Sequence, residues 1–308
     1  MGEQIEDMPP ANSSHICVCL CTYRRPSMLK RLLEHLSIQE TDGQFTFSIS
    51  IADNDQARSA EPVIATFADS SPLEVAYGCQ PTQNIALTRN LSLEKAKGDF
   101  VAFIDDDEFP AKNWLLELFR FCQTEGVSGV LGPVRPHFEC HPPNWVVKGR
   151  FCDRPEPDTG TELDWNDCRT GNVLLRRSII DGLDEPFDPA FPTGGEDKEF
   201  FRIMMQSGHR FLWCNAGVVF EEVPQERLTR SYMLHRALLR GQNVLKHPQG
   251  RYRAVATSFF AVPIYLVLLP FTVLGGHHCF VKYTIKLCDH VGRILGVFGI
   301  NPVSYRAM

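Results

Sequence analysis

The sequence predicts an α/β domain with a mostly parallel central sheet, followed by hydrophobic and amphipathic helices at the C-terminal end. Short apolar runs typical of buried strands alternate with segments of helical periodicity over residues 16–132. Further along, residues 254–274 form an uncharged run of about twenty residues, which is long enough to cross a bilayer. Together these observations indicate one α/β domain with a hydrophobic appendage.

The strands are predicted where apolar and β-branched residues run together between turn-forming residues. Cys17, Cys19 and Cys21 alternate in the first run, so they are expected on one face of a buried strand. Later strands are predicted in the segments FSISIADND, LEVAYG, DFVAFIDDD, VSGVLG and GNVLLRRS, and a last strand pair in FLWCNAGVVFEEVP.

The helices are predicted between these strands, where apolar residues recur at helical spacing. Pro26 suits the first turn of a helix in YRRPSMLKRLLEHL, and Gly98 is expected to end a helix in TQNIALTRNLSLEKAKG. Asn113 is expected to cap a helix that Gly126 closes, and another helix is predicted in GGEDKEFFRIMMQSG. Residues 133–170 are rich in proline and lack periodicity, so they predict an irregular segment over the ligand crevice.

The composition of the chain limits which partners it is expected to bind and in which cellular compartment it is expected. The chain has 308 residues, a formal net charge of -6 and eleven cysteines. This mild acidity argues against nucleic acid as a partner, because nucleic-acid binding requires a basic surface. The polar start MGEQIEDMPPANSSH has no secretory signal, so the cysteines are expected to be reduced in the cytosol. Residues 1–14 are expected to be disordered.

The C-terminal segment is unlike the rest of the chain. Residues 227–253 are rich in arginine and lysine, and basic residues beside an apolar span mark the cytoplasmic side of a membrane. Pro263 and Pro270 are expected to bend the apolar run, which leaves a spanning helix, a re-entrant or interfacial hairpin, and a buried core helix as alternatives. We therefore predict a catalytic domain at 15–225 and a basic juxtamembrane helix with a membrane-associated segment at 226–308.

Acidic side chains accumulate where one predicted strand ends. Asp105, Asp106, Asp107 and Glu108 follow the apolar run VAFI directly. Adjacent carboxylates repel one another, and a divalent cation such as Mg²⁺ or Mn²⁺ relieves that repulsion. Asp53 ends another strand, and the carboxyl ends of parallel strands share one edge of the sheet. The sequence therefore predicts a site at this edge for a metal ion and a diphosphate.

A second acidic pair, Glu196 and Asp197, follows two glycines at the start of a predicted helix. Glycines let a loop approach a ligand closely, and a carboxylate beside a diphosphate site can deprotonate an acceptor hydroxyl. Acids at a helix start also act as plain partners of the helix dipole. Arg25 and Arg89 are candidates for contacting phosphate or for holding the acids in place.

With these residues in view, the chain resembles the glycosyltransferases of family 2, the inverting group with the GT-A fold, and in particular its membrane-associated bacterial members. The resemblance rests on VCLCTYRRPSMLKRLL, ISIADND, LTRNLSLEKAKGDFVAFIDDDE, GNVLLRRS and GGEDKEFF. Each segment alone is a weak match, whereas five in the right order are specific. The resemblance covers about residues 15–245.

The resemblance implies a role for each matching residue. The residues implied to hold the nucleotide sugar are Thr22, Tyr23, Arg25, Asp53, Arg89, Asp105 and Asp106. Asp107 is the implied ligand of a Mn²⁺ or Mg²⁺ cofactor. Asp197 is the implied general base, with Glu196 as its catalytic neighbour. Many relatives place a metal-binding histidine after the last strand, where this chain has VVFEEVPQER, so Glu221 or Glu222 is a candidate replacement.

The implied activity is metal-dependent, inverting transfer of a sugar from a nucleotide-diphosphate sugar. A UDP-sugar is the default donor, and the implied acceptor is a hydroxyl of a glycan or lipid-linked saccharide in cell-surface polysaccharide synthesis. The implied location is the cytoplasmic face of the inner membrane, contacted through the C-terminal segment.

Three alternatives stay open on the sequence. A sugar-phosphate nucleotidyltransferase needs a glycine-rich phosphate loop after the first strand, where this chain reads TYRRPS. A metal-dependent phosphatase normally has a nucleophilic aspartate after an early strand, whereas the first strand here ends in Thr22. A non-catalytic, membrane-anchored sugar-binding protein is the third, although both acidic motifs are intact.

Overall fold

The computed structural model describes residues 14–246 and 251–300. They group into two compact units, one that runs to residue 135 and resumes over 154–221, and one that combines residues 136–153 with those from 222 onward. The segment predicted to be disordered lies outside the described residues, except for Ser14, which begins the first strand. The predicted boundary at residue 225 stays a prediction.

Ten strands occur within the described residues. They are β1 (Ser14–Thr22), β2 (Phe45–Asp53), β3 (Val75–Cys79), β4 (Phe100–Ile104), β5 (Glu108–Pro110), β6 (Gly129–Leu131), β7 (Val134–His137), β8 (Asn172–Arg176), β9 (Phe211–Trp213) and β10 (Val219–Glu222). Seven form the central sheet in the order β3-β2-β1-β4-β8-β6-β9, and a smaller sheet has the order β5-β10-β7.

The central sheet is mostly parallel, as the sequence predicts. β1 lies between β2 and β4 and is parallel to both, and β6 and β9 are also parallel. β8 is the exception, because it runs antiparallel to both β4 and β6. The expected strand pair at the end of the domain is wrong, since β9 joins the central sheet and β10 pairs with β5. Because β1, β2 and β4 are parallel, their carboxyl ends meet at one edge.

Nine α-helices lie within the described ranges. They are α1 (Pro26–Leu36), α2 (Glu61–Ser70), α3 (Ile85–Lys95), α4 (Trp114–Glu125), α5 (Asn144–Gly149), α6 (Glu196–Gln206), α7 (Arg230–Asn243), α8 (Arg251–Thr272) and α9 (His277–Val297). α1, α2 and α4 contribute to one hydrophobic core against the central sheet, and α3 and α6 contribute to another. β1 serves both cores, because Val18 belongs to the first whereas Cys17 and Cys19 belong to the second.

The helix ends follow local chemistry. Pro26 occupies the first turn of α1, and the side chain of Asn84 caps α3 by accepting from two backbone amides. Gly126 closes α4 in the left-handed conformation, with φ 63°. α3 ends at Lys95, earlier than the predicted stop at Gly98, because the chain is already extended at residue 96. α2 and α5 were not predicted from the sequence, because both are short and weakly periodic.

Asn172, at the start of β8, joins three chain segments through its buried amide. Its oxygen accepts from Trp114 Nε1 at 2.7 Å, and its nitrogen donates to the carbonyls of Pro133 at 3.0 Å and Gly217 at 2.8 Å. We predict that Asn172→Ala lowers the free energy of unfolding by about 3 kcal/mol or more, since three buried polar groups lose their partner. Urea denaturation followed by circular dichroism measures this. The exposed Asn166→Ala is the control, and equal stability of the two variants would contradict the prediction.

In the second unit, α8 and α9 pack side by side in opposite directions. Ser258 Oγ lies 3.0 Å from His290 Nδ1, and the rings of Tyr265 and Tyr283 lie 6.1 Å apart. α8 continues through both Pro263 and Pro270, so the apolar run contains no break at either proline. The chain turns only after α8 ends.

α8 is long and apolar enough to cross a membrane, by length and composition. Residues 251–275 reach a mean hydropathy of 2.0, and only 6% of the apolar window is buried. The large side chains on it are exposed, with Phe260 at 75% and Val267 at 68%. A helix whose apolar side chains remain uncovered needs an apolar environment to cover them.

Candidate active site

The acidic turn between β4 and β5 is held by side chains at the end of β1 and just after it. Thr22 Oγ1 donates to Asp106 Oδ2 at 2.8 Å, and Arg25 Nη1 donates to Asp106 Oδ1 at the same distance. Arg25 also lies 3.3 Å from Asp107 Oδ2. Burial raises the pKa of the Asp106 carboxyl to about 6, although Arg25 opposes this shift. Asp106 is therefore held within the turn while Asp107 is more accessible, and the predicted contact of Asp106 with the nucleotide sugar stays a prediction.

Arg89 connects the two acidic motifs. It lies within α3 and its Nη2 is 3.5 Å from Asp105 Oδ1, whereas its Nη1 forms an ion pair with Glu196 Oε1. Restricted hydration raises the pKa of Asp105, and the negative charges of Asp107 and Asp197 raise it further. The carboxylates that follow β4 and those that begin α6 are therefore neighbours, although about ninety residues separate them in the chain.

The ion pair between Arg89 and Glu196 is buried, with 7% and 3% of each residue exposed. We predict that Arg89→Met lowers the free energy of unfolding by about 3–5 kcal/mol, because it leaves the Glu196 carboxylate buried without a counter-charge. The double variant with Glu196→Leu is expected to recover much of this loss. Guanidinium denaturation of both single variants and the double variant measures the coupling. Additive effects of the two substitutions would contradict the prediction.

A third group of charged side chains borders the acidic turn, and its arginine, Arg154, was not predicted from the sequence. Glu108 is buried, and its Oε2 accepts from the backbone amide of Asp105 at 3.2 Å. Arg154 Nη1 lies 4.0 Å from Glu108 Oε1, and Arg154 Nη2 donates to Glu221 Oε2. Burial raises the pKa of Glu108 well above its usual range, and the charge of Asp105 adds to the shift. Glu221 therefore has Arg154 as its counter-charge, and the predicted role of Glu221 or Glu222 as a replacement metal ligand stays a prediction.

Asp53 is the register partner of Thr22 in the central sheet, and its carboxylate is held by a different set of donors. It ends β2 fully buried, and its carboxylate accepts from the amides of Asp55 and Ala60, each at 2.9 Å. Tyr77 Oη also donates to it at 3.4 Å. Asp53 therefore shapes the loop that follows β2, and its predicted contact with a base stays a prediction. The guanidinium of Arg24 lies 5.1 Å from the centre of the Tyr23 ring.

The first turn of α6 presents its two acids differently. Gly194 and Gly195 precede it with φ angles of 115° and 105°, which glycine adopts at little cost. Glu196 points inward to Arg89, whereas Asp197 is partly exposed and accepts from the backbone amide of Lys198 at 2.8 Å. Of the two, Asp197 is therefore the carboxylate that an incoming molecule can reach.

Among the described residues, no group of three histidine, cysteine, aspartate or glutamate side chains is arranged to hold a metal ion by itself. The carboxylates of Asp105 and Asp107 are nevertheless oxygen donors of the kind that Mg²⁺ and Mn²⁺ prefer. Mg²⁺ is commonly bound by one or two carboxylates together with substrate phosphates and water. The donor set therefore fits an ion that a diphosphate helps to hold.

Comparison with known proteins agrees with this arrangement. The family described as Glycosyl transferase family 2 matches residues 17–183, which is more than half of the chain. The succinoglycan biosynthesis protein ExoM of Rhizobium meliloti (strain 1021) is 33% identical over 96% of both chains. The chain therefore belongs to glycosyl transferase family 2. The resemblance seen in the sequence is confirmed, and the protein is an enzyme of the hexosyltransferase type.

Solved structures support the GT-A fold. A mannosyltransferase from Pyrobaculum calidifontis, solved with GDP-Man and Mn²⁺, aligns with a TM-score of 0.64 at 14% identity over 94% of this chain and 89% of its own. S. aureus TarS 1-349, solved with UDP-GlcNAc, aligns with a TM-score of 0.54 at 13% identity over 93% and 92%. The chain spans 43% of a longer TarS chain. At these identities the likeness concerns the fold.

Proposed function

We propose that this enzyme transfers a sugar, with inversion, from a nucleotide-diphosphate sugar to a hydroxyl of a glycan or lipid-linked acceptor. A UDP-sugar is the proposed donor, with Mn²⁺ or Mg²⁺ as cofactor. The similarity to a succinoglycan biosynthesis protein supports a role in polysaccharide synthesis. The observation that carries the proposal is the Arg89 bridge, because it brings Asp105 beside the α6 acids.

The proposed donor half of the site lies at the carboxyl ends of β1 and β4. Asp107, with Asp105, would hold the metal ion, which when bound neutralises the diphosphate and stabilises it as a leaving group. Thr22 and Arg25 fix the acidic turn through Asp106, so the Asp107 side chain is positioned before substrate binds. Tyr23, Asp53 and Arg89 complete the proposed nucleotide-sugar site.

Asp197 is the proposed general base. Its carboxylate would accept the proton of the acceptor hydroxyl as that oxygen forms the new bond to the anomeric carbon. The bond from the anomeric carbon to the diphosphate breaks at the same time, and the nucleoside diphosphate leaves with the bonding electrons. Attack from the face opposite the leaving group inverts the anomeric configuration. Glu196 would act by anchoring the first turn of α6 to Arg89.

The proposed membrane contact is made by α8, at the cytoplasmic face of the inner membrane. The helix is 22 residues long, carries its charged residues only at its first turn, and exposes its apolar side chains. The basic residues of α7 and of the first turn of α8 would lie near anionic headgroups. The enzyme would then reach a lipid-linked or nascent surface polysaccharide while it stays bound at the membrane surface.

A panel of nucleotide sugars tests the proposal. The purified full-length protein is incubated with UDP-, GDP- and dTDP-sugars, with Mn²⁺ or with a chelator, and free nucleoside diphosphate is measured. We expect Mn²⁺-dependent release of one nucleoside diphosphate, even when water is the only acceptor. Release of pyrophosphate from a nucleoside triphosphate and a sugar phosphate, with no diphosphate release from any sugar nucleotide, would overturn the proposal.

A further inference from the structure

A cavity of about 390 Å³ lies in the first unit, beside the carboxyl ends of β6 and β9. It is lined by residues from the loop after β6, from residues 154–169 and from Asn172 and Trp213. This volume falls within the range of small-molecule binding sites, which are mostly apolar with a few polar groups. From the sequence, only an irregular segment was predicted over residues 133–170, which supply much of this lining.

Ion pairs and backbone hydrogen bonds tie the cavity wall to the neighbouring strands. Arg135 holds Glu156 through two hydrogen bonds of 2.9 and 3.1 Å, and Arg210 holds Glu162 at 2.8 Å. The backbone of Trp213 donates to Thr161 at 3.0 Å and so ties this wall to β9. A wall that is held in place loses little conformational freedom on binding, which favours affinity.

The floor and the rim of the cavity differ in chemistry. Leu163 and Trp213 contribute apolar surface to the floor, together with prolines of the wall. Among the described residues, the side chains of Asp167 and Arg169 make no hydrogen bond or ion pair, although both line the cavity. Arg154 and the other charged lining residues are paired within the chain. The charged lining residues that remain unpaired are therefore one acid, Asp167, and one base, Arg169, and their charges cancel.

One short segment, residues 163–171, connects the cavity lining with residues that pack near the proposed reaction site. Leu163, Cys168 and Trp213 belong to the same hydrophobic cluster as Phe200 of α6, the helix that begins with the Glu196–Asp197 pair. At the other end of this segment, a β-carbon on Gly171 would lie 3.1 Å from Asp105 Oδ2. The segment thus runs from the cavity to Asp105 at one end and packs in the same hydrophobic cluster as α6.

We propose that this cavity binds the saccharide that receives the transferred sugar, and that its ligand is a neutral pyranose unit. A sugar ring has an apolar C–H face that suits the floor, and hydroxyls that the unpaired carboxylate of Asp167 and guanidinium of Arg169 can bind. Because those two charges balance, the hydroxyls of a neutral saccharide can satisfy both, whereas the attraction of an anionic sugar to Arg169 is offset by its repulsion from Asp167. This inference rests on the proposed function, since it assumes that a sugar is transferred to a saccharide.

Alkyl glycosides test the assignment. The full-length enzyme, with its preferred sugar nucleotide and Mn²⁺, is offered octyl β-glucoside, octyl β-galactoside and octyl β-glucuronide, and transfer is compared with donor hydrolysis. We expect transfer to at least one neutral glycoside and little to the glucuronide. Arg169→Ala and Asp167→Ala should each raise the acceptor KM roughly ten- to hundredfold. Thr161→Trp, which fills the cavity, should lower the ratio of transfer to hydrolysis by a similar factor.

Arg120→Ala is the matched control, because Arg120 is exposed on α4 and does not line the cavity. It should keep the wild-type ratio of transfer to hydrolysis. An unchanged acceptor KM in all three cavity variants would overturn the assignment of the cavity. Donor hydrolysis without transfer to a neutral glycoside, or transfer to the glucuronide alone, would overturn the neutral ligand while the proposed function stands. Absence of both hydrolysis and transfer with every donor would overturn the proposed function as well.

Discussion

Replacing Asp107 with alanine should lower sugar transfer by roughly a thousandfold or more, because the proposed metal ion loses its main protein ligand. It should also remove the extra thermal stabilisation that Mn²⁺ gives in the presence of UDP. A ligand at a hundred times its Kd stabilises a folded protein by about 2.7 kcal/mol, so the loss is large enough to measure. Differential scanning fluorimetry with UDP, with and without Mn²⁺, provides the second measurement.

Asp69→Ala is the control for this experiment, because Asp69 is exposed on α2. It should keep both transfer and the Mn²⁺-dependent shift. The loss in Asp107→Ala must also be separated from unfolding, since Arg25 lies 3.3 Å from Asp107 and loses part of its ion pairing. Circular dichroism of the metal-free protein makes this separation. A folded Asp107→Ala variant that retains the Mn²⁺-dependent shift would exclude Asp107 as the ligand.

Replacing Asp197 with asparagine should lower transfer by about 10²–10⁴-fold while donor binding is kept, because general base catalysis contributes on that scale. Asparagine retains the oxygen that accepts from the backbone amide of Lys198 at 2.8 Å, so the first turn of α6 should persist. Single-turnover transfer measures the chemical step, and the Mn²⁺-dependent shift with UDP measures donor binding.

Asp184→Asn is the matched control, because Asp184 is exposed and lies outside the helices and strands. The rate of single-turnover transfer and the Mn²⁺-dependent shift with UDP should both remain at wild-type values in this variant. If Asp197→Asn transferred sugar at the wild-type rate, another group would have to accept the proton. If it lost donor binding together with transfer, Asp197 would act in the donor half of the site instead.

The parts of the fold that could be predicted are those with a strong local pattern. β1 and β4 contain continuous apolar runs, and buried parallel strands have this composition because both faces of the sheet are covered, whereas apolar residues alternate with small polar ones in β2. The antiparallel direction of β8 could not be predicted, because a short buried strand has the same apolar composition whichever way it runs. For the same reason, β9 and β10 looked like partners although they belong to different sheets.

The candidate site was predictable where acids or arginines adjoin an apolar run, as with Asp105 and Asp107. Arg154 lies in a proline-rich segment without periodicity, so no local pattern marks it, and its pairing with Glu221 depends on tertiary structure. The neighbours of Asp53 are also invisible in the sequence, because two of its three donors are backbone and phenolic groups of other segments. Sequence therefore located the charges but not their partners.

The assignment of residues 136–153 to the second unit matters for protein engineering. Val146 on α5 belongs to a hydrophobic cluster with Val223 and Leu228, and the ring of Trp145 lies 5.8 Å from that of His277 at the start of α9. A shortened enzyme that stops after β10 would lack the residues that pack against these apolar side chains and would leave them exposed to water. A soluble version for crystallisation is therefore better sought by polar redesign of the outward surface of α8 than by cutting the chain.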